Sequence, residues 1–318
     1  MHINSPIHKM PTVLHTMRIC MAAALPTTWK SASWLLKLMI PISLAVTLLQ
    51  FFGILEWMAL YLHPVFVHLG LPGASAVAFI SGASAGTYAG IAAMTALPLT
   101  MKQATIMAIM IALCHSLPME CAVNKKTGSS AWKMAVIRLF MAFVCAWGLN
   151  LLLPEMPGNY IFLGAPADSS FAQVLGTWLW SQVKMSAMVF LIIYVLMVVQ
   201  QMIEAYALLK PLSNMLGPLM TVFGIPRHSA YMWLVGNVLG ISYGSAVMLE
   251  LESRGLIRRD EANDVNYHLI MNHSMLEDTI VFALTGISAL WLMGTRVSCA
   301  MALVWSRRLL LCVKKKRS

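Results

Sequence analysis

His273-Ser274-Met275-Leu276-Glu277-Asp278 places an imidazole, a hydroxyl and two carboxylates side by side in a segment otherwise apolar enough to cross a membrane. Histidine can donate or accept hydrogen bonds and titrates near neutral pH, so the stretch could hold a polar solute or pass a proton. In hydrocarbon such groups are costly unless they are paired or face a wet cavity. The stretch has a counterpart, His115-Ser116-Leu117-Pro118-Met119-Glu120, 158 positions earlier. On a continuous helix Ser274 and Asp278, His273 and Glu277, and Ser116 and Glu120 are i,i+4 neighbours on one face. Two readings follow: a solute site between the two halves of the chain, or a satisfied polar network that locks them together. The copies are not equivalent. Met119 stands where the second copy has Glu277, and Asn272 and His268 extend the polar face in the second copy alone. Pro118 is expected to break its helix just after the His-Ser pair. Arg138 and Arg296 either pair with the acids or reach to the interface.

The elements that must position these groups are repeated too. "LHPVFVHLGLPGASAVAFISGASAGTYAGIA" and "LGPLMTVFGIPRHSAYMWLVGNVLGISYGSA" align at an offset of 154, with Pro64 on Pro218, Gly70 on Gly224 and Pro72 on Pro226. Gly82, Gly86 and Gly90 fall on Gly236, Gly240 and Gly244. Prolines and glycines in register over this length indicate a duplication. Small residues let helices approach closely, and broken backbone is tolerated at membrane depth only around a cavity or inside protein. The candidate polar lining is Asn237, Ser242, Tyr243 and Ser245 in the second hairpin, and Ser81, Ser84, Thr87 and Tyr88 in the first.

The chain has 318 residues, 59% hydrophobic and 11% charged, with 22 Lys and Arg against 12 Asp and Glu. Its mean hydropathy is +0.74. This is the composition of a polytopic membrane protein, not a soluble domain. The basic residues sit at the ends of apolar runs, as cytoplasmic anchors do, and no nucleic-acid motif accompanies them. The six cysteines form no CxxC pair and the 26 methionines read as adaptable packing.

Apolar spans are expected near 34–57, 103–122, 132–153, 173–203, 263–284 and 289–311. Residues 153–170 contain acids but no Lys or Arg and are expected outside, whereas "NKKTGSSAWK", "ESRGLIRRDE" and the terminal "KKKR" are expected inside. These placements agree if 58–97 and 211–251 each enter and leave on the same side. The expected fold is therefore an all-α polytopic membrane protein built from two inverted repeats, each with three transmembrane helices and one re-entrant hairpin. The parts are a cytoplasmic N-terminal arm (1–33), a first repeat (34–153), an external linker (154–172), a second repeat (173–311) and a basic cytoplasmic tail (312–318).

Other chemistries are less well supported. Residues 82–86, "GASAG", match the G-x-S-x-G of serine hydrolases, but the second copy has Val238 in place of Ser84. No HExxH and no P-loop is present, so the expectation is a non-enzyme with no cofactor and no resident metal.

Taken together, a Gly/Pro-rich hairpin followed by a His-Ser-acid helix, twice over, resembles the bacterial nucleoside recognition, or Gate-domain, membrane proteins. That group includes spore maturation membrane proteins, and related Gate domains occur in the ferrous-iron permease and the concentrative nucleoside transporters. "MNHSMLEDTIVFALTG" and "GIPRHSAYMWLVGNVLGISYGSAVM" carry the resemblance, over roughly residues 34–305. Neither the permease's GTPase domain nor the acid-bearing substrate motifs of the nucleoside transporters are present. The expected function is a permease-like transporter of a small polar or ionic solute, a nucleoside-like compound or a metal ion, working by alternating access in the inner membrane with both termini cytoplasmic. The alternative is a non-transporting membrane scaffold acting with a partner protein or a second copy. The expected binding residues are His115, Ser116, Glu120, Asn237, Ser242, Asn272, His273, Ser274, Glu277 and Asp278, and the expected contacts are the lipid bilayer and the solute, with no nucleic acid.

Overall fold

A computed structural model describes residues 13–163 and 169–317. The described chain is all-helical. It runs α1 (Val13–Phe51), α2 (Ile54–Phe66), α3 (Ser75–Ala85), α4 (Thr87–Met94), α5 (Met101–Cys114), α6 (Leu117–Lys126) and α7 (Ala131–Leu152). The order then repeats as α8 (Phe171–Ala205), α9 (Leu209–Val222), α10 (Ala230–Val238), α11 (Ile241–Ser253), α12 (Arg259–Asn272), α13 (Met275–Leu284) and α14 (Ala289–Arg317). Among the described residues, four stretches are long and apolar enough to cross a membrane: 101–126, 131–152, 171–205 and 289–313.

Helix α5 is the centre of the packing. Its residues from Ala104 to Cys114 are all buried, as expected of a helix apolar on every side. Thr100 caps it, accepting from Gln103 N while the Gln103 side chain accepts from Thr100 N. Its counterpart α12 is buried from Val265 onward except at Tyr267, which is partly buried. The paired short helices lie against these two. A Cβ on Gly82 would sit 2.9 Å from Ile111 of α5, and one on Gly236 would sit 2.7 Å from Leu269 of α12. The glycines therefore allow α3 and α10 to approach closer than any side chain permits. Each pair turns at a glycine, Gly86 with φ 109° and Gly240 with φ 93°, which other residues adopt only under strain.

The ends of the central helices have defined neighbours. Lys102 at the start of α5 pairs with Glu155 at 2.7 Å, and Thr100 bridges to Asn159, beyond the end of α7. Gly286, just before α14, faces Met101. At the other end, Gly128, just before α7, faces Arg259 at the start of α12. Asn266 there donates to Thr127 Oγ1 at 2.8 Å, and Ser129 to Asn263 at 2.8 Å.

Several expectations change. The spans expected at 103–122 and 263–284 are each interrupted, at His115-Ser116 and His273-Ser274. Ser116 (φ 48°) and Ser274 (φ 49°) are left-handed, which stops the α hydrogen-bond pattern. Pro118 is not the cause: it sits within the first two positions of α6, where proline is tolerated. The second repeat breaks at the same place with Leu276 in the matching position. Residues 13–33 are not a separate arm but the first turns of α1, which packs along α8; Gln182 of α8 donates to Ser43 of α1 at 2.7 Å. Residues 312–317 continue α14. The expected arm at 1–12, the linker at 164–168 and Ser318 lie outside the described residues.

Candidate functional site

At each break the last turn of a central helix exposes carbonyls with no intrahelical donor. A buried arginine from the following long helix fills this need. Arg138 of α7 donates to Leu113 O at 2.9 Å and His115 O at 2.9 Å, and pairs with Glu120 of α6. Arg296 of α14 donates to Met271 O at 3.0 Å and His273 O at 2.5 Å, and pairs with Asp278 of α13 at 3.0 Å. Both arginines are fully buried, so the pairing reading of these residues stands and the snorkelling one does not. The backbone is tied down from the hairpin side as well. Ser116 N donates to Gly82 O at 3.1 Å, and Ser274 N to Gly236 O at 3.2 Å.

The two breaks meet. The rings of His115 and His273 are tilted by 46° with centroids 4.9 Å apart, and their Nε2 atoms lie 3.1 Å from each other. Glu120 spans the pair: Oε1 is 3.1 Å from His115 Nε2 and Oε2 is 3.0 Å from His273 Nε2. Each Nδ1 faces a carbonyl of its own helix. His273 Nδ1 is 2.8 Å from Leu269 O, and His115 Nδ1 is 3.2 Å from Ala112 O. A carbonyl only accepts, so both Nδ1 atoms carry their protons and direct Nε2 at the carboxylate.

The first hairpin completes the cluster from the other repeat. Thr87 of α4 donates to Asp278 Oδ1 at 3.0 Å, and Tyr88 donates to Glu277 Oε1 at 3.2 Å. Leu276 and Glu277 also line a cavity of about 240 Å³ with Thr27, Gln200, Leu239 and Tyr243. None of that lining comes from His115 to Glu120.

The expected site residues divide accordingly. His115, Glu120, His273, Glu277 and Asp278 come together, and Ser116 and Ser274 form the breaks. Glu277 does not meet His273, as an unbroken helix would require; the break separates them and sends Glu277 to Tyr88. Asn237 and Asn272 are buried in a second polar group with His268, whose Nδ1 accepts from Trp233 Nε1 at 2.9 Å and lies 3.1 Å from Asn272 Oδ1. There Asn237 Oδ1, Asn272 Nδ2 and His268 Nε2 have no hydrogen-bond partner among the described residues, and neither has Ser245 Oγ of α11. Ser242 is exposed and joins neither group. Ser84 is also exposed and donates to Ile80 O at 2.7 Å. Thr87, Tyr88, Arg138 and Arg296 belong to the site although they were not among the expected binding residues. Their signals were a hydroxyl pair just after the hairpin glycine and an arginine at the same place in both copies.

The family model of the Gate domain, described as nucleoside recognition, matches residues 32–130. The chain is 30% identical over 288 residues to YvoD, an uncharacterized membrane protein of Bacillus subtilis (strain 168), covering 89% of this chain and 91% of that one. No solved structure matches the chain.

Proposed function

The chain belongs to the Gate-domain, or nucleoside recognition, family of membrane proteins, and on that premise we propose that it is a permease-like transporter of a small polar or ionic solute. The meeting of the two breaks carries this reading. Two helices from different repeats both stop here, present their last residues to each other, and share one carboxylate across the seam. Helices broken around a polar centre between repeats are the usual build of an alternating-access site. The Glu277-lined cavity and the buried polar atoms around Asn237 and His268 support a path to it from the second repeat.

The proposed topology is inverted. The start of α5 neighbours the end of α7 and the start of α14, while the start of α12 neighbours the start of α7. With α7 returning alongside α5, these contacts support central helices that run in opposite senses. The basic loops at 124–133 and 252–261 then lie together, on the cytoplasmic side of the inner membrane with both termini, and 153–163 lies opposite. The paired short helices act as the re-entrant hairpins. No residue in this reading is catalytic.

Uptake into proteoliposomes tests the reading. Uridine, adenosine, succinate and zinc would be offered to wild type, His115→Ala and His273→Ala. One solute class is expected to enter wild-type vesicles above empty ones and to lose entry in both variants. If no solute enters although the wild-type protein is folded, the scaffold reading gains, and co-purification of a partner protein would support it.

A further inference from the structure

We infer that His115, His273 and Glu120 form a binding site for a divalent first-row metal ion of the zinc class, which rests on the transport reading only for its placement at the repeat seam. Lone pairs decide what the cluster can hold. Both Nδ1 atoms are committed as donors to carbonyls, so in neutral rings both Nε2 atoms are acceptors. They lie 3.1 Å apart and face carboxylate oxygens at 3.1 and 3.0 Å, which also only accept. Acceptors in a buried space repel one another unless a cation lies between them. That cation is either an added proton or a metal ion.

Three observations favour the metal. The donor set, two imidazole nitrogens and a carboxylate, suits zinc and its neighbours rather than calcium or magnesium. Two nitrogens bound to tetrahedral zinc at about 2.05 Å stand roughly 3.3–3.4 Å apart, so the 3.1 Å separation needs only a small opening. The immediate charges also leave room, because Glu120 and Asp278 take up Arg138 and Arg296, while Glu277 accepts from Tyr88 and pairs with no cation among the described residues. Glu120 Oε2 is held by Arg138, which leaves Oε1 as the freer donor. Asp278 Oδ2, 3.9 Å from His115 Nε2, stands on the side of a fourth ligand. The hydrogen bonds at Nδ1 fix both rings in the ligating tautomer, the role that outer-shell carbonyls play in metal sites. Sequence spacing hides the set, since its members come from two repeats 158 positions apart.

The test uses the purified full chain, stripped with chelator and then titrated with zinc. About one zinc per chain is expected, with magnesium unable to compete. His115→Ala, His273→Ala and Glu120→Gln are expected to bind at least about tenfold more weakly, whereas His63→Ala, an exposed histidine, binds as wild type does. Cobalt(II) added to wild type gives a readout that does not depend on the variants folding, and the visible bands of a four-coordinate ion with nitrogen ligands are expected. Zinc binding without zinc uptake by vesicles supports this site and removes only its role in transport. Absence of binding by wild type, or equal binding by folded His115→Ala, overturns the inference and leaves an added proton as the cation, whatever solute the vesicles take up.

Discussion

The two repeats brace their broken helices identically and arm them differently. Arg138 and Arg296 do the same work on matched carbonyls and matched acids. The difference lies in what else touches the acid. In the second repeat Asp278 accepts from Thr87, and its neighbour Glu277 accepts from Tyr88. The positions matching Thr87 and Tyr88 are Ile241 and Ser242, and the position matching Glu277 is Met119, which is 53% exposed. Glu120 therefore receives no hydroxyl from the second hairpin, and being one methylene longer than Asp278 it reaches both histidines. A duplicated scaffold has become asymmetric through a few side chains: one acid serves as an anchor for the opposite hairpin, and the other faces the imidazole pair.

The largest expected effects test the shared brace. Arg138→Met and Arg296→Met each leave a buried carboxylate and two helix-end carbonyls uncompensated, at about 3–5 kcal/mol. Denaturant unfolding in detergent should give similar losses for the two. A well-tolerated loss of one would break the equivalence. Combining Arg138→Met with Glu120→Leu should recover part of the loss, because no unpaired charge then remains buried.

Next come the hairpin turns. Gly86→Ala and Gly240→Ala force a side chain into a conformation that costs about 1–3 kcal/mol. Gly86→Ala should cost more, since its Cβ would lie 2.9 Å from Ser116 Oγ against 3.3 Å for Gly240 and Ser274 Oγ. Thermal unfolding of the pair checks the order, and the reverse order would count against the tighter packing of the first turn.

The smaller effects test the asymmetry directly. Thr87→Val leaves Asp278 one partner short, at about 1–2 kcal/mol, and Tyr88→Phe should cost about 1 kcal/mol. Ser242→Ala, at the position matching Tyr88, should fall within about 0.5 kcal/mol of wild type. Equal effects for Tyr88→Phe and Ser242→Ala would erase the claimed difference between the hairpins.

The architecture was largely legible in the sequence because its determinants are local. Gly82, Gly86 and Gly90 repeat in register with Gly236, Gly240 and Gly244, and each marks a contact or turn that the backbone requires. The His-Ser-acid motif was likewise visible as a repeated polar group inside apolar segments. Its wiring was not. Pairing Glu277 with His273 assumed a helix running through Ser274, and a left-handed serine cannot be foreseen from residue type. Glu120 meets His273 across the repeats, which no spacing rule along one helix can express. Ser84 and Ser242 looked like cavity lining on composition alone, but the hairpins turn both outward.

The central claim is that the histidine pair is a working site and not a dry lock between the repeats. Accessibility of position 273 tests it most directly. His273→Cys would be placed in a background lacking the six native cysteines, reconstituted into vesicles, and exposed to a membrane-impermeant thiol reagent from one side and then the other. A working site predicts labelling from each side, with the balance shifted by whichever solute the uptake assay identifies. A cysteine in a folded protein that stays protected from both sides under every condition would contradict it.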